Sequence, residues 1–420
     1  MTKRQCEVLV VGGGPGGTST AVALARDGVE VMVVDCARFP RPKPCAEYLS
    51  PEASRILASM GALEAVEATG AAQLAGVLVR APNGSMIRGE FLSGHGYSPF
   101  RQRGLSVRRE VLDKVLIDCA RDAGVDVREG ARVSGLRKTD TGYRVSATMD
   151  GSDVTIDARM VIGADGLHSI VARRLGLTRA ARWPRRLALV THYSGVAEIG
   201  ELAEMHVEAD GYVGIADVGH GLTTVALVVP ARMAREVSSG KELFLDRWLA
   251  SRPHLAPRFA RATRVSPVQA TGPFASRARR AWNEGALLVG DAADFFDPFT
   301  GEGIFAALRG GELAADAAIE SMRSRTARGA TRALAGYDTT RRRVFGGKWI
   351  VERVIAAVIA KPWLINRVAG TLSGRRDLAD LLIGVTGDFV PAREIMNARY
   401  LLATFGVVGG RPVVDPALSG

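Results

Sequence analysis

Glu7-Val8-Leu9-Val10-Val11-Gly12-Gly13-Gly14-Pro15-Gly16-Gly17 is the stretch whose reading decides the fold. Residues 7–11 form a continuous, mostly β-branched run, the pattern of a strand buried on both faces of a parallel sheet. Residues 18–25 follow as a helix, and residues 30–34 as a second strand ending on Asp35. A strand, a GxGxxG turn, a helix and then an acid about twenty positions on make up a dinucleotide-binding unit. Gly12 allows the tight turn, Gly14 admits a pyrophosphate, and Gly17 lets helix and strand pack closely. Pro15 and Gly16 complete the turn, and Asp35 is placed to accept from ribose hydroxyls.

A second stretch has the same logic near the C-terminal third. The apolar run 286–289 reads as a buried strand. Gly290-Asp291 and then Asp297-Pro298-Phe299-Thr300-Gly301-Glu302-Gly303-Ile304 follow, and an Ala-rich helix covers 305–319. Asp291 can accept from a sugar hydroxyl, the glycines let backbone N–H groups approach a ligand, and the helix start favours negative charge.

Composition bounds what surrounds these motifs. A chain of 420 residues with 47% hydrophobic and 24% charged residues suits a two-domain globular protein, or one large dinucleotide fold with an insertion. The net charge is +11, and after position 320 there are 16 basic against 7 acidic residues. That excess is read as a solvated basic surface or as a peripheral contact with anionic lipid. Nucleic acid is not expected, since no aromatic-interleaved basic platform or helix-turn-helix is visible. Cys6, Cys36, Cys45 and Cys119 lack CxxC or metal-ligand spacing, which points to a reducing, cytoplasmic setting without a metal. The N-terminus enters a strand at once, so no signal peptide is expected, and no apolar run reaches the ~20 residues of a membrane span.

Between the motifs, Phe39 to Pro51 is a proline-rich loop leading to a helix at 51–60. A hairpin at 76–80 and 86–91 turns on Asn83-Gly84. A helix runs to 123, a strand follows at 126–128, and 131–159 alternates as a three-stranded meander. Gly163-Ala164-Asp165-Gly166 ends a further strand. Runs at 187–193, 205–207, 211–215 and 222–229 read as an antiparallel sheet, 241–250 as a helix, and 265–270 as a strand returning to the first domain. Residues 331–406 read as mostly helical.

Three fingerprints then line up: Gly12–Gly17 with Asp35, Gly163–Gly166 with Ser169 and Arg173, and Gly290-Asp291 with the 298–303 loop. Together they resemble the flavoprotein superfamily of para-hydroxybenzoate hydroxylase over about residues 5–325. Lys43-Pro44-Cys45-Ala46-Glu47 and Pro298–Ile304 look most like its geranylgeranyl reductase family. The resemblance implies an α/β fold with a discontinuous glutathione-reductase-type, Rossmann-like FAD-binding domain (1–75, 100–180 and 270–330). It also implies an inserted antiparallel β-sheet substrate domain (76–99 and 181–269) and a helical C-terminal region (331–420). FAD would meet Gly12, Gly14 and Gly17 at its pyrophosphate, and Asp35 and Val133 at its adenosine end. Cys45, Ala46 and Arg109 would lie beside the cofactor, and Asp165 and Gly166 near the pyrophosphate. Asp291 would hold the ribityl chain, and Pro298, Gly301, Gly303 and Ile304 would surround the ring. NAD(P)H would serve as a transient reductant without a fingerprint of its own.

One departure is clear. The reductases' Tyr-x-Trp-x-x-Pro signature is replaced here by Gly211-Tyr212-Val213-Gly214-Ile215-Ala216, and the Trp-x-Trp-x-Ile-Pro of flavin halogenases is also missing. The expected substrate is a hydrophobic prenyl, polyketide or quinone-like molecule. The expected reaction is C=C reduction or dehydrogenation. Flavin-dependent monooxygenation is the alternative, and a non-redox cyclase is a third reading by analogy of fold. Cys45, Glu47 and Tyr212 are the candidate proton donors. Each also has a plain role open to it: Cys45 as a buried small hydrophobe, Tyr212 as a wall. His192, His220, Cys36, Cys119, Trp349 and Trp363 are read as structural.

Overall fold

The computed structural model describes residues 2–179, 185–274 and 276–406. Its first sheet has five parallel neighbours in the order Ala286–Leu288, Ser152–Gly163, Thr2–Val11, Val31–Val34 and Asp126–Arg128. Val8, Leu9 and Val10 are wholly buried, as expected of a central strand covered on both faces. The register matters most for function. Val11 pairs with both Val34 and Gly163, and Gly163 pairs with Leu288. The carboxyl ends of four strands therefore stop at one edge, where Gly12, Asp35, Ala164 and Val289 begin their loops. The chain runs from Thr2–Val11 to one side of the sheet first and to the other later, so this edge is a topological switch point, where open α/β sheets bind ligands.

The second sheet runs Thr263–Arg264, Arg186–Ser194, Leu222–Pro230, Gly211–Asp217, Leu202–Glu208, Gly76–Arg80 and Met86–Glu90. Period-two alternation sorts its faces. Leu189, Val213, Val225 and Leu227 pack outward against the helices Ala234–Ser239 and Lys241–Ala250. Ala188, Val190, Met205, Tyr212, Gly214, Ala226 and Val228 lie in register on the inner face. The expected return strand at 265–270 is a correction. Gln269–Thr271 pairs with Ala188–Val190 and stays in the second sheet, because its partners lie on that sheet's open edge.

The meander is as expected (Ala131–Thr139, Gly142–Met149 and Ser152–Gly163), but its last strand continues into the parallel core. Four helices follow the cofactor-motif helix Gly303–Arg323: Ala327–Ile359, Pro362–Leu372, Arg376–Thr386 and Ala398–Thr404. Residues 407–420 of the expected helical region lie outside the described residues. Among the described residues no single helix is long and apolar enough to cross a membrane.

Candidate active site

The glycine turn is built by close backbone contact. Gly12 takes φ +108°, and a Cβ there would meet the Ala164 carbonyl oxygen at 2.3 Å. A Cβ on Gly17 would lie 1.9 Å from the Gly12 oxygen, so only glycine allows the first helix, Pro15–Arg26, to start where it does. Gly14 is different. Its backbone is extended, and its Cβ position is open towards Arg109 and Arg41, each 3.8 Å away. The free helix start therefore faces two guanidinium groups across an empty gap.

Asp35 accepts from the N–H groups of Gly13 and Ala37, both at 2.8 Å, and so fixes the turn as well as facing its open end. Asp113 lies wholly buried beneath, with Arg109 held bidentately at 3.0 and 2.8 Å and Arg41 at 3.1 Å. Lys43 completes the cationic group. Burial, then Arg109, depresses its ammonium below the ordinary lysine range, and Asp291 opposes them. Burial raises the Asp291 carboxyl, while Lys43 and Arg109 pull it back. Asp291 has no hydrogen-bond partner among the described residues.

These features suit a dinucleotide with a sugar-like chain. An anion at the glycine turn would relieve the repulsion among Arg41, Lys43 and Arg109, and hydroxyls would satisfy Asp291. The helix Gly303–Arg323 adds a second start, capped by the buried Glu302 and next to Gly301 at φ +72°.

One cavity joins these groups to the second sheet. Gly14, Pro15, Gly16, Cys45, Ala46, Glu47, Arg109, Gly166, Tyr212, Asp291, Pro298, Gly301, Gly303 and Ile304 all line it. Gly12, Gly17, Asp35, Val133 and Asp165 do not. The first two support the turn from behind, and Val133 lies on a strand that begins at Ala131, whose N–H bonds the Asp35 carbonyl at 2.8 Å. Asp165 turns away to cap the short helix Ile170–Arg174 through the Ile170 N–H at 2.6 Å, leaving its other oxygen buried and unpartnered among the described residues.

The candidate donors are now distinguishable. Tyr212 gives its proton to Asp297 at 2.7 Å, and burial followed by Asp297 raises its phenol well above 10. Asp297 also accepts from Arg186 at 2.6 Å and from the Phe299 N–H at 3.1 Å. Tyr212 is thus a fixed wall with its proton committed. Cys45 lies beside the Arg109 guanidinium and accepts from the Glu47 N–H at 3.4 Å. Glu47 adopts φ +62° while 2% exposed, and its carboxylate takes the Arg109 N–H at 2.9 Å and His192 Nε2 at 2.8 Å.

Arg341, Phe345 and Glu352 were not singled out from sequence. Arg341, Phe345, Trp349 and Glu352 form one stripe of the helix Ala327–Ile359 and line the cavity. Their i, i+4, i+8, i+11 spacing was visible in the sequence, but nothing there said which wall the helix would form. Trp349 is therefore a cavity residue and not only core, whereas Trp363 is 66% exposed. His220 is structural, bonding the Thr69 carbonyl, and Cys36 is exposed and not packed.

Burial, then repulsion from Glu302, Asp294 and Asp297, holds the Glu352 carboxyl well above its usual 4.5, with Lys348 opposing. The folded chain keeps this proton where the unfolded chain has lost it. The associated stability is present below pH 4.5 and is lost as pH rises through the folded value. Glu352→Gln should therefore be more stable than wild type at pH 8, by about 1 kcal/mol or more. Its advantage should vanish towards pH 4.5, as urea titrations at the two pH values will show.

Comparison with known proteins agrees with this geometry. The family described as FAD binding domain matches residues 5–345. Digeranylgeranylglycerophospholipid reductase 1 of Methanothermobacter thermautotrophicus is 30% identical over 329 residues, covering 76% of this chain and 78% of its own. The menaquinone reductase of Mycobacterium tuberculosis is 30% identical over 332 residues, covering 74% and 76%. The solved structure of a myxobacterial chondrochloren halogenase superposes with a TM-score of 0.78 at 23% identity, over 97% of this chain and 98% of that one, a likeness of fold alone. The chain belongs to the FAD-binding domain family and is an FAD-dependent oxidoreductase of the geranylgeranyl reductase group.

Proposed function

We propose that the protein reduces a carbon–carbon double bond in a hydrophobic prenyl, polyketide or quinone-like substrate. The observation that carries this reading is the inner face of the second sheet. Ala188, Val190, Met205, Ala226 and Val228 form an apolar wall that runs directly into the groove holding Cys45, Glu47 and Asp291. The names of the two relatives, reductases of a prenyl lipid and of a quinone, support it.

In this reading Gly12, Gly14, Pro15, Gly16, Gly17, Lys43 and Arg109 hold the pyrophosphate, with Asp165-Gly166 nearby, and Asp35 and Val133 hold the adenosine end. Asp291 holds the ribityl chain. Cys45, Ala46, Pro298, Gly301, Gly303 and Ile304 border the ring. Bound FAD supplies the electron pair, and NAD(P)H reloads it transiently. The apolar wall orients the substrate and excludes water, and Glu47 or Cys45 provides the proton.

The test is to reduce the holoprotein without oxygen and add prenyl or quinone-like alkenes. Anaerobic reoxidation with a product two hydrogens heavier is expected. Turnover that needs oxygen and leaves labelled oxygen in the product would establish monooxygenation instead. Activity with a flavin that cannot be reduced would establish a cyclase.

A cytoplasmic, membrane-peripheral placement fits the same substrate. Residues 339–376 hold nine Lys and Arg against one acid, Glu352; Arg341 faces the cavity as Glu352 does and Lys348 pairs with Asp388, while Arg342, Arg343, Arg353, Lys361, Arg367 and Arg376 are exposed. Ile350, Val354 and Trp363 are exposed on that region's surface. An apolar stripe flanked by cations is the pattern of an interfacial helix. The protein should float with vesicles containing anionic lipid and not with neutral ones, and Trp363→Ser with Ile350→Ser should weaken that at least 5-fold.

A further inference from the structure

The reduction proposed above consumes one proton per double bond inside a wall that excludes water, so the proton must be resupplied through the protein. Tyr212 is committed to Asp297. Glu47 is a cavity-lining acid with a hydrogen-bonded connection through a histidine to a hydroxyl. Its Oε2 lies 2.8 Å from His192 Nε2, and His192 Nδ1 lies 3.0 Å from Ser266 Oγ. We propose that Ser266, His192 and Glu47 form a proton path into the cavity, with Glu47 as the terminal donor and His192 as the residue that positions and reloads it. This rests on the reductase reading of the site.

The path requires one tautomer. The His192 backbone N–H donates to Ser266 Oγ at 3.0 Å, and the hydroxyl proton of Ser266 has two acceptors in reach, His192 Nδ1 at 3.0 Å and Thr191 Oγ1 at 3.1 Å, of which the path uses the first. Nε2 then carries the ring proton and donates to Glu47. The Glu47 side chain is 3% exposed and lines the cavity. The His192 side chain is 17% exposed and is not among the lining residues.

The bookkeeping of atoms is simple. The electron pair arrives with a hydride on one alkene carbon. His192 gains a proton at Nδ1 from water by way of Ser266 and passes its Nε2 proton to the Glu47 carboxylate; Glu47 gives that proton to the other carbon and returns to the carboxylate, and exchange of the ring proton with solvent restores Nε2–H. The net uptake is one proton from solvent, and no further oxidant or reductant is needed.

The Glu47 geometry supports this use. A non-glycine residue at φ +62° is strained, and its carboxylate is held between two fixed donors, the Arg109 N–H and His192. The strain places a carboxylate at the junction between the cofactor strap and the second sheet.

The test uses His192→Gln, which keeps a hydrogen-bonding amide but cannot relay a proton. FAD affinity and the flavin absorption spectrum should match wild type. Anaerobic reoxidation of the reduced holoprotein by an alkene should slow at least 10-fold, and added imidazole should restore part of it. An unchanged rate, or a loss that tracks FAD affinity and ignores imidazole, overturns the path. A readout independent of turnover comes from selective ¹⁵N-histidine NMR of the protein. His192 should be the Nε2–H tautomer in wild type and lose that preference in Ser266→Ala; an Nδ1–H tautomer in wild type overturns the path. Should no alkene reoxidise wild type while the tautomer is as required, the reductase reading fails and the hydrogen-bonded path stands.

Discussion

Gly14→Val folds like the wild type and loses FAD, whereas Gly17→Ala fails before binding is reached. These opposite outcomes are expected of two glycines in one fingerprint. At Gly14 the backbone is extended at φ −79°, which any residue adopts, and the new Cβ meets only guanidinium nitrogens at 3.8 Å. The cost to the empty protein is therefore small, below about 1 kcal/mol. The added side chain instead fills the gap between the helix start and Arg109, where a pyrophosphate must lie. A loss of at least about 100-fold in FAD affinity follows, equivalent to ~2.7 kcal/mol. At Gly17 the Cβ would lie 1.9 Å from the Gly12 carbonyl oxygen and 3.3 Å from Ala164 Cβ, all within the central sheet–helix contact. No side chain can rotate away there, so the backbone must separate, at a cost of several kcal/mol. Chemical denaturation of the FAD-free proteins and flavin fluorescence titration separate the two effects. Equal stability losses in both variants would overturn the distinction.

Asp297→Ala is the substitution with the largest expected cost outside the glycines. The Asp297 carboxylate is 2% exposed and accepts from Arg186, Tyr212 and the Phe299 N–H together. Its removal leaves a guanidinium that is 12% exposed without its counter-ion, and such breaks cost about 3–5 kcal/mol. Asp297→Asn keeps the size and one acceptor and should lose less. Tyr212→Phe removes one neutral donor and should cost only about 1 kcal/mol. The order Asp297→Ala, Asp297→Asn, then Tyr212→Phe is the measurement, read from denaturant midpoints. Asp297 also starts the turn Pro298–Thr300 that leads into the Gly303–Arg323 helix, so Asp297→Ala should weaken FAD binding as well. A variant as stable as wild type would show that Arg186 finds another partner and that the network is not structural.

The parts of the site that were legible in the sequence are those made by backbone. The turn 12–17, the acid at 35 and the loop 290–304 each act through N–H groups, positive φ or a helix start, all fixed by residues within a few positions. Their chemistry is therefore written locally as a dinucleotide site, and the resemblance implies FAD. The strands of the second sheet were also legible as apolar, β-branched runs, but not their faces, because 186–194 and 222–230 are buried on both sides.

The misplaced return strand at 265–270 shows the boundary. Its apolar pattern suits either sheet, and only the unpaired edge of Arg186–Ser194 decided between them. The same holds for the stripe Arg341 to Glu352, whose spacing announces a helix face and not what that face meets.

What the sequence by itself determined was a dinucleotide site and its βαβ cradle, with FAD implied by the resemblance. What only the tertiary structure decided was which side chains are spoken for. Tyr212 meets Asp297 across 85 positions, Arg186 meets it across 111, and Glu47 meets His192 across 145. No local pattern encodes such pairs, because each exists only once two sheets have packed at a fixed angle. That packing commits the Tyr212 hydroxyl to Asp297 and brings His192, read as structural, against the Glu47 carboxylate.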